Sequence, residues 1–123
     1  MANPNIVGVT SIYGKTVYDT DVATSETTLV DTVATDKILK INTIIAANID
    51  GTNDADITVF VALANGAAAY HLAKTVTVPA DSSLVIISKD TSFYLEEGLR
   101  IRANASAAGD ISLMCSYEEM DDA

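Results

Sequence analysis

The sequence predicts an all-β fold: a single antiparallel β-sandwich, jelly-roll or Greek-key like, of about eight or nine strands. Three observations lead there. Apolar and polar side chains alternate with period two in several separate stretches, turn-forming residues recur roughly every ten positions, and no segment offers the crossover helices that a parallel sheet needs. The clearest alternation runs from Lys37 to Ile49, where Leu39, Ile41, Thr43, Ile45, Ala47 and Ile49 share one parity while Lys40, Asn42 and Asn48 fall on the other. The first set is expected to face the core and the second to face water.

Ile6 to Val17 alternates loosely around Gly8 and Gly14, two positions suited to a bend or bulge. Residues 1–14 suit reaching a neighbour better than filling a core, so an N-terminal arm is expected there, with Ile6, Ile12 and Tyr13 as partner contacts. In Thr24 to Val33, Ser25-Glu26 can open a short helix carrying Leu29, Val30 and Val33, yet the threonines and valines favour extended chain. A strand is expected. The long alternating strand follows, then the polar loop Asp50 to Asp56, whose Asp-Gly and Asn-Asp pairs tolerate left-handed backbone. Ile57 to Leu63 is almost wholly apolar, as in a strand buried on both faces or with its wet face covered by a partner, and Asn65-Gly66 turns the chain into a strand from Tyr70 to Val78. Pro79 to Ser82 makes the next turn. Leu84–Ile87, Phe93–Leu95, Leu99–Ala105 and Ile111–Tyr117 complete the set, the last two with Leu99, Ile101 and Ala103, and Ile111, Leu113, Cys115 and Tyr117, on the inward parity. Residues 118–123 form an acidic C-terminal tail, expected to fray or to be pinned only in an assembly.

A chain of 123 residues has room for one domain, 1–123, and buries about two-thirds of its unfolded surface. Hydrophobic residues make up 49% but aromatics only 6%, so the core is thin, built from small aliphatic side chains, and favours support from neighbouring subunits. A formal charge of −10 disfavours docking on phosphate backbones, which excludes nucleic acid as a partner. No apolar run is long enough to span a bilayer and the first residues lack the features of a secretory signal, so no membrane partner and synthesis in the cytoplasm are expected.

The residues that carry chemistry are sparse. His71 is the only imidazole, with no second ligand or nucleophile at a recognisable spacing. Cys115 sits on the inward parity of the last strand, as an inert core thiol does. Asp50, Asp54 and Asp56, with Asn53, place hard oxygen ligands within one loop and are the calcium candidates, although the spacing misses the EF-hand pattern. Glu96-Glu97 and Glu118-Glu119 read as turn and edge residues rather than as a glycosidase pair. No catalytic residue and no cofactor is expected, and the chain does not read as an enzyme. Lys37, Lys40, Arg100 and Arg102, all on strands, are candidate contacts if they converge into a basic patch for an acidic partner.

The run from Tyr70 to Leu84 (YHLAKTVTVPADSSL), Tyr94 to Gly98 (YLEEG), Ser116 to Glu119 (SYEE) and the opening Ile12 to Thr16 (IYGKT) resemble small virion structural proteins of tailed phages, particularly those of marine and cyanobacterial myoviruses. The chain departs from them at Leu99, where related chains often carry a polar residue after the Glu-Glu-Gly turn. The resemblance implies a β-sandwich component of a phage particle, most simply a head decoration or cement protein. Such a protein binds the major capsid protein lattice on the capsid surface, after synthesis in the host cytoplasm, as a small homo-oligomer such as a trimer. A neck, tail or baseplate accessory or fibre-attachment subunit is the alternative. A carbohydrate-binding module is a third reading, for which Tyr13, Tyr18, Tyr70, Phe93, Tyr94 and Tyr117 are the aromatic candidates.

Overall fold

A computed structural model describes residues 6–121 as two packed antiparallel sheets. Nine strands form them: β1 (Ser11–Asp19), β2 (Thr27–Val30), β3 (Lys37–Asn48), β4 (Ala55–Ala62), β5 (Ala68–Val78), β6 (Ser83–Ile87), β7 (Phe93–Leu95), β8 (Arg100–Ala105) and β9 (Ile111–Asp121). A single 3-10 turn, Lys89–Thr91, joins β6 to β7. In the first sheet the order is β1-β9-β3-β6, with β7 beside β6 on the same edge of β3; in the second it is β2-β8-β4-β5. The pairings β1 with β9, β2 with β8, β3 with β6 and β4 with β5 are those of one long antiparallel ribbon rolled into two sheets, which is a jelly roll.

The core lies between the sheets. Ile41, Ile44, Ile111, Leu113 and Cys115 face Ile57, Val59, Val78, Ile101 and Ala103 across it, and all are buried. Each large aliphatic side chain so placed contributes about 1.5–3 kcal/mol relative to exposure. On β8 and β9 the inward parity is the one the alternation predicts: Ile101 and Ala103, then Ile111, Leu113, Cys115 and Tyr117.

On β3 that parity holds only for its first half. Leu39 and Ile41 point inward, but the register against β9 shifts between Ile41 and Thr43. The irregularity moves Ile44, Ala46 and Asn48 to the inward side and leaves Thr43, Ile45 and Ala47 half-buried on the outer face. Ile45 is therefore not a core residue, and Ile49 lies beyond the strand, 59% exposed.

Both chain ends differ from expectation. Ser11 to Gly14, expected within an arm spanning residues 1–14, belong to β1 and pair with Asp121 to Glu118 of β9. Ile6 and Val7 precede the strand and are exposed, while residues 1–5 lie outside the described residues. Glu118 to Asp121, expected to fray in a tail of residues 118–123, continue β9 between β1 and β3; residues 122–123 lie outside the described residues. Two backbone ladders hold this acidic segment, and Lys15 and Lys37 reach Glu119 at 3.1 and 3.5 Å.

Turn chemistry falls where the sequence places it. Gly66 (φ +91°) and Gly98 (φ +86°) adopt left-handed backbone that side chains disfavour. One end of the sandwich carries the loops β1–β2, β3–β4, β5–β6 and β8–β9, tied by Val22 N–H to Ile111 C=O (2.9 Å), Ile49 N–H to Asp110 C=O (2.7 Å) and Asp81 N–H to Asp50 C=O (3.2 Å). The opposite end carries β2–β3, β4–β5 and β7–β8, tied by Gly98 N–H to Val33 C=O (3.0 Å).

Candidate interaction surfaces

The outer face of the first sheet is built from cross-strand neighbours that the register sets side by side. Tyr18, Met114, Ile45 and Val85 stand directly opposite one another on β1, β9, β3 and β6, forming a continuous row of four. Tyr18 is 72% and Val85 57% exposed. Next to this row lies Thr16–Ser116–Thr43, with the Thr16 hydroxyl 3.5 Å from that of Ser116, and on its other side Ser112–Ala47–Ser83. No residue of these three rows is charged. Further along, Ile12, Met120 and Ile38 make a second apolar row, Met120 and Ile38 buried and Ile12 exposed.

Two openings flank the core where the sheets part. Between β5 and β7, an apolar groove of about 470 Å³ is lined by Val61, Tyr70, Leu72, Ile87, Phe93 and Tyr94 among others. Thr91 is its one polar lining residue apart from the tyrosines; the Thr91 hydroxyl accepts the Ser88 N–H at 3.0 Å. On the opposite flank a smaller opening of about 250 Å³ lies between Val17, Leu29, Val33, Leu39 and Tyr117, with Lys37 and Glu119 at its rim.

The four cations read as candidate contacts do not come together. Lys37 and Lys40 are on the first sheet, Lys37 turned to Glu119 and Asp121 and Lys40 on the outer face; Arg100 and Arg102 project from the outer face of the other sheet. Two sheets back to back point their outer faces in opposite directions. Arg102 is held by Glu26, with Nη1 3.4 Å from Oε1 and Nη2 donating to the Glu26 carbonyl at 3.0 Å. Ile6, Ile12 and Tyr13 are 46%, 57% and 51% exposed on or beside the β1 edge.

The calcium candidates are engaged by different segments. Asp50 accepts N–H bonds from Thr52 (2.8 Å) and Asn53 (3.3 Å), which hold its carboxyl below the usual range. Asp54 accepts from the Ala80 N–H (3.1 Å) and Asp56 from the Thr77 hydroxyl (2.7 Å). Among the described residues no group of three His, Cys, Asp or Glu is placed to hold a metal ion. His71 is exposed on the outer face of the second sheet, its ring 5.3 Å from that of Phe60. Cys115 is fully buried, and burial pushes its thiol up to about 12, so it is protonated at neutral pH. Among the described residues no helix is long and apolar enough to cross a membrane.

Alternation could not reveal the uncharged outer face, because its register depends on the β3 irregularity. Phe60 agrees with the reading of Ile57 to Leu63 as covered on both faces: it lies on the outward parity of β4 yet is only 1% exposed, between Arg102 and His71 on the neighbouring strands.

The chain is an all-β jelly roll. No protein-family profile and no curated protein matches it. Three solved structures are similar to it at low identity and with TM-scores below 0.5. A protein of Bacillus endospore appendages, described as a family of disulfide-linked pili, has a TM-score of 0.49 at 17% identity over 92% of this chain and 90% of that one. A chain of infectious bursal disease virus, Gx strain, has a TM-score of 0.48 at 12% identity, covering 91% of this chain but 32% of that one. A chain of the extra small virus particle from the giant freshwater prawn Macrobrachium rosenbergii has a TM-score of 0.46 at 13% identity, covering 94% and 82%.

Proposed function

We propose that the protein is a structural subunit of a phage virion: a head decoration or cement protein seated on the major capsid protein lattice as a small homo-oligomer. The observation that carries this reading is the uncharged stretch of the outer face of the first sheet. In a chain of net charge −10, three adjacent rows spanning up to four strands carry no charge, and Tyr18 and Val85 at the ends of the central row remain largely exposed. A flat face with small and apolar side chains suits burial against another protein, while carboxylates elsewhere keep the exterior solvated and the particles apart. The phage-like sequence stretches from Tyr70 to Leu84 and Tyr94 to Gly98 point the same way.

Quantitative mass spectrometry of purified particles tests the assignment. A decoration protein is present in numbers comparable to the major capsid protein; a neck, tail or baseplate subunit is present at a small fraction of it; absence from the particle ends the virion reading. Within the decoration reading, the double variant Y18S/V85S keeps its melting temperature and loses particle occupancy. The groove between β5 and β7 gives the carbohydrate reading its aromatics, Tyr70, Phe93 and Tyr94, but supplies few of the polar groups that sugar hydroxyls need.

A further inference from the structure

We propose that β1 pairs edge to edge with β1 of a second copy about a two-fold axis at Thr16, so that the first sheets of two subunits run on as one. The proposal deepens the homo-oligomer part of the reading above and rests on it only in expecting copies to associate.

Of the strands that border the two sheets, β1 alone offers a long regular edge. β2 has four residues and a register shift, β7 has three residues, and β6 has five with a shift in its pairing to β3. β5 is long, but its ladder with β4 shifts three times. In contrast, Ser11 to Asp19 pair with β9 without a shift, and β1 holds no proline. Alternate residues of such a strand direct their N–H and C=O away from the neighbour. Among the described residues, Ser11–Asp19 make no backbone–backbone hydrogen bond except to β9, and Ile12 to Thr16 are all exposed. An edge lysine commonly guards against pairing, but Lys15 is drawn onto Glu119 at 3.1 Å. The border is therefore open to another strand.

The strand is complementary to itself. Ile12, Gly14, Thr16 and Tyr18 share the outward parity and none is charged, so two chains of net charge −10 meet on this face without like charges. A two-fold axis normal to the sheet keeps both outer faces on one side. Centred on Lys15 it would oppose two lysines, and centred on Gly14 it would carry Tyr18 past the end of the partner strand. Centred on Thr16, it sets Thr16 against Thr16 of the second copy, Lys15 against Val17, Tyr13 against Asp19 and Tyr18 against Gly14. A Cβ built on Gly14 meets nothing within 4 Å, so the Tyr18 ring, 72% exposed, has room to cover the glycine of the second copy. Pairing residues 13–19 supplies about six to eight main-chain hydrogen bonds, within the range of a specific interface. It also joins the uncharged rows of the two subunits into one surface. The contact is isologous and stops at two copies.

Sedimentation velocity on the full chain tests this, with circular dichroism as the check on folding. Wild type is expected to be dimeric. Thr16→Glu and Thr16→Lys each place like charges across the axis and should weaken dimerisation by about a hundredfold or more; an equimolar mixture of the two should recover the dimer. Thr16→Cys should be joined by a short bismaleimide, since Cys115 is buried. Val85→Cys should not, because seven strand spacings, about 34 Å, separate the two copies of that residue. If Thr16→Glu fails to fold, Thr16→Lys and Thr16→Cys still decide the matter. Wild type that stays monomeric at millimolar concentration overturns the proposal, as does association unchanged in both charged variants, a mixture that stays monomeric, or a dimer that Thr16→Cys does not cross-link. A wild-type dimer missing from purified particles ends the virion reading and leaves this contact standing; a monomer found on particles does the reverse.

Discussion

Asn48 is the buried polar side chain of the core, 3% exposed, and every polar atom of its amide group is used. Its Nδ2 donates to the carbonyls of Asn53 and Val78, both at 2.9 Å, and its Oδ1 accepts the Asp50 N–H at 2.9 Å. The residue thus fastens the β3–β4 loop to the end of β5. Period-two reading assigns Asn48 to solvent, and a single polar residue at a strand end gives no cue that its partners are carbonyls 5 and 30 residues away. Asn48→Ala leaves the buried Val78 carbonyl, the partly buried Asn53 carbonyl and the Asp50 N–H without this partner, and should destabilise the protein by about 1–3 kcal/mol in urea unfolding. Asp110 gives a second residue-scale expectation. Its folded pKa is raised, so the ionised form is disfavoured by folding, and stability from this group is present at low pH and lost as pH rises through the carboxylate range. Asp110→Asn should raise the melting temperature at pH 7, and the gain should vanish at pH 3, where the wild-type carboxyl is already neutral. The depressed pKa of Asp50 acts in the opposite sense, weakening the fold as acid protonates it; its leading causes, the Thr52 N–H and Asn53, are common to both proteins, while the hydrogen bond to Asp110 is the last of them.

Among elements, β3 shows how far alternation carries and where it stops. Existence, type and approximate extent of this strand follow from its pattern, as do those of β4, β8 and the Ile111–Tyr117 part of β9. Which face its second half presents does not, because one register shift between Ile41 and Thr43 exchanges inside and outside for every later residue. Ile44 is 0% exposed whereas Ile45 stands on the outer row between Met114 and Val85. Ile44→Asp should therefore abolish cooperative unfolding, through a charge buried without a partner, while Ile45→Asp should leave a folded protein with a melting temperature close to wild type. Equal effects of the two substitutions in a thermal melt would contradict the observed register. The acidic stretch Glu118 to Asp121 was hidden for a related reason. Its side chains resemble a solvated tail, but ladders from β1 and β3 and the lysines of both strands hold it in the sheet.

For the whole molecule, the two-sheet class is legible from short strands and turns, whereas the choice between jelly roll and other Greek keys is not. That choice rests on β1 pairing with β9 and β2 with β8, contacts between distant parts of the chain that leave no local mark. β9 lies between β1 and β3, inside its sheet, although it is last in sequence. A chain stopped at Asp110 should accordingly fail to fold rather than lose an edge, with far-UV dichroism lacking the sheet signal. The same topology makes folding depend on non-local closure, which is slow for all-β domains.

β5 borders its sheet as an eleven-residue strand, long enough to invite another chain to add on. Its pairing with β4 slips at three places, and Thr75 takes φ +53° while donating its N–H to the Thr58 hydroxyl at 2.9 Å instead of to a backbone carbonyl. A kinked border of this kind is a poor template for endless cross-β stacking. The folded chain is thus expected to stay free of such fibrils when concentrated.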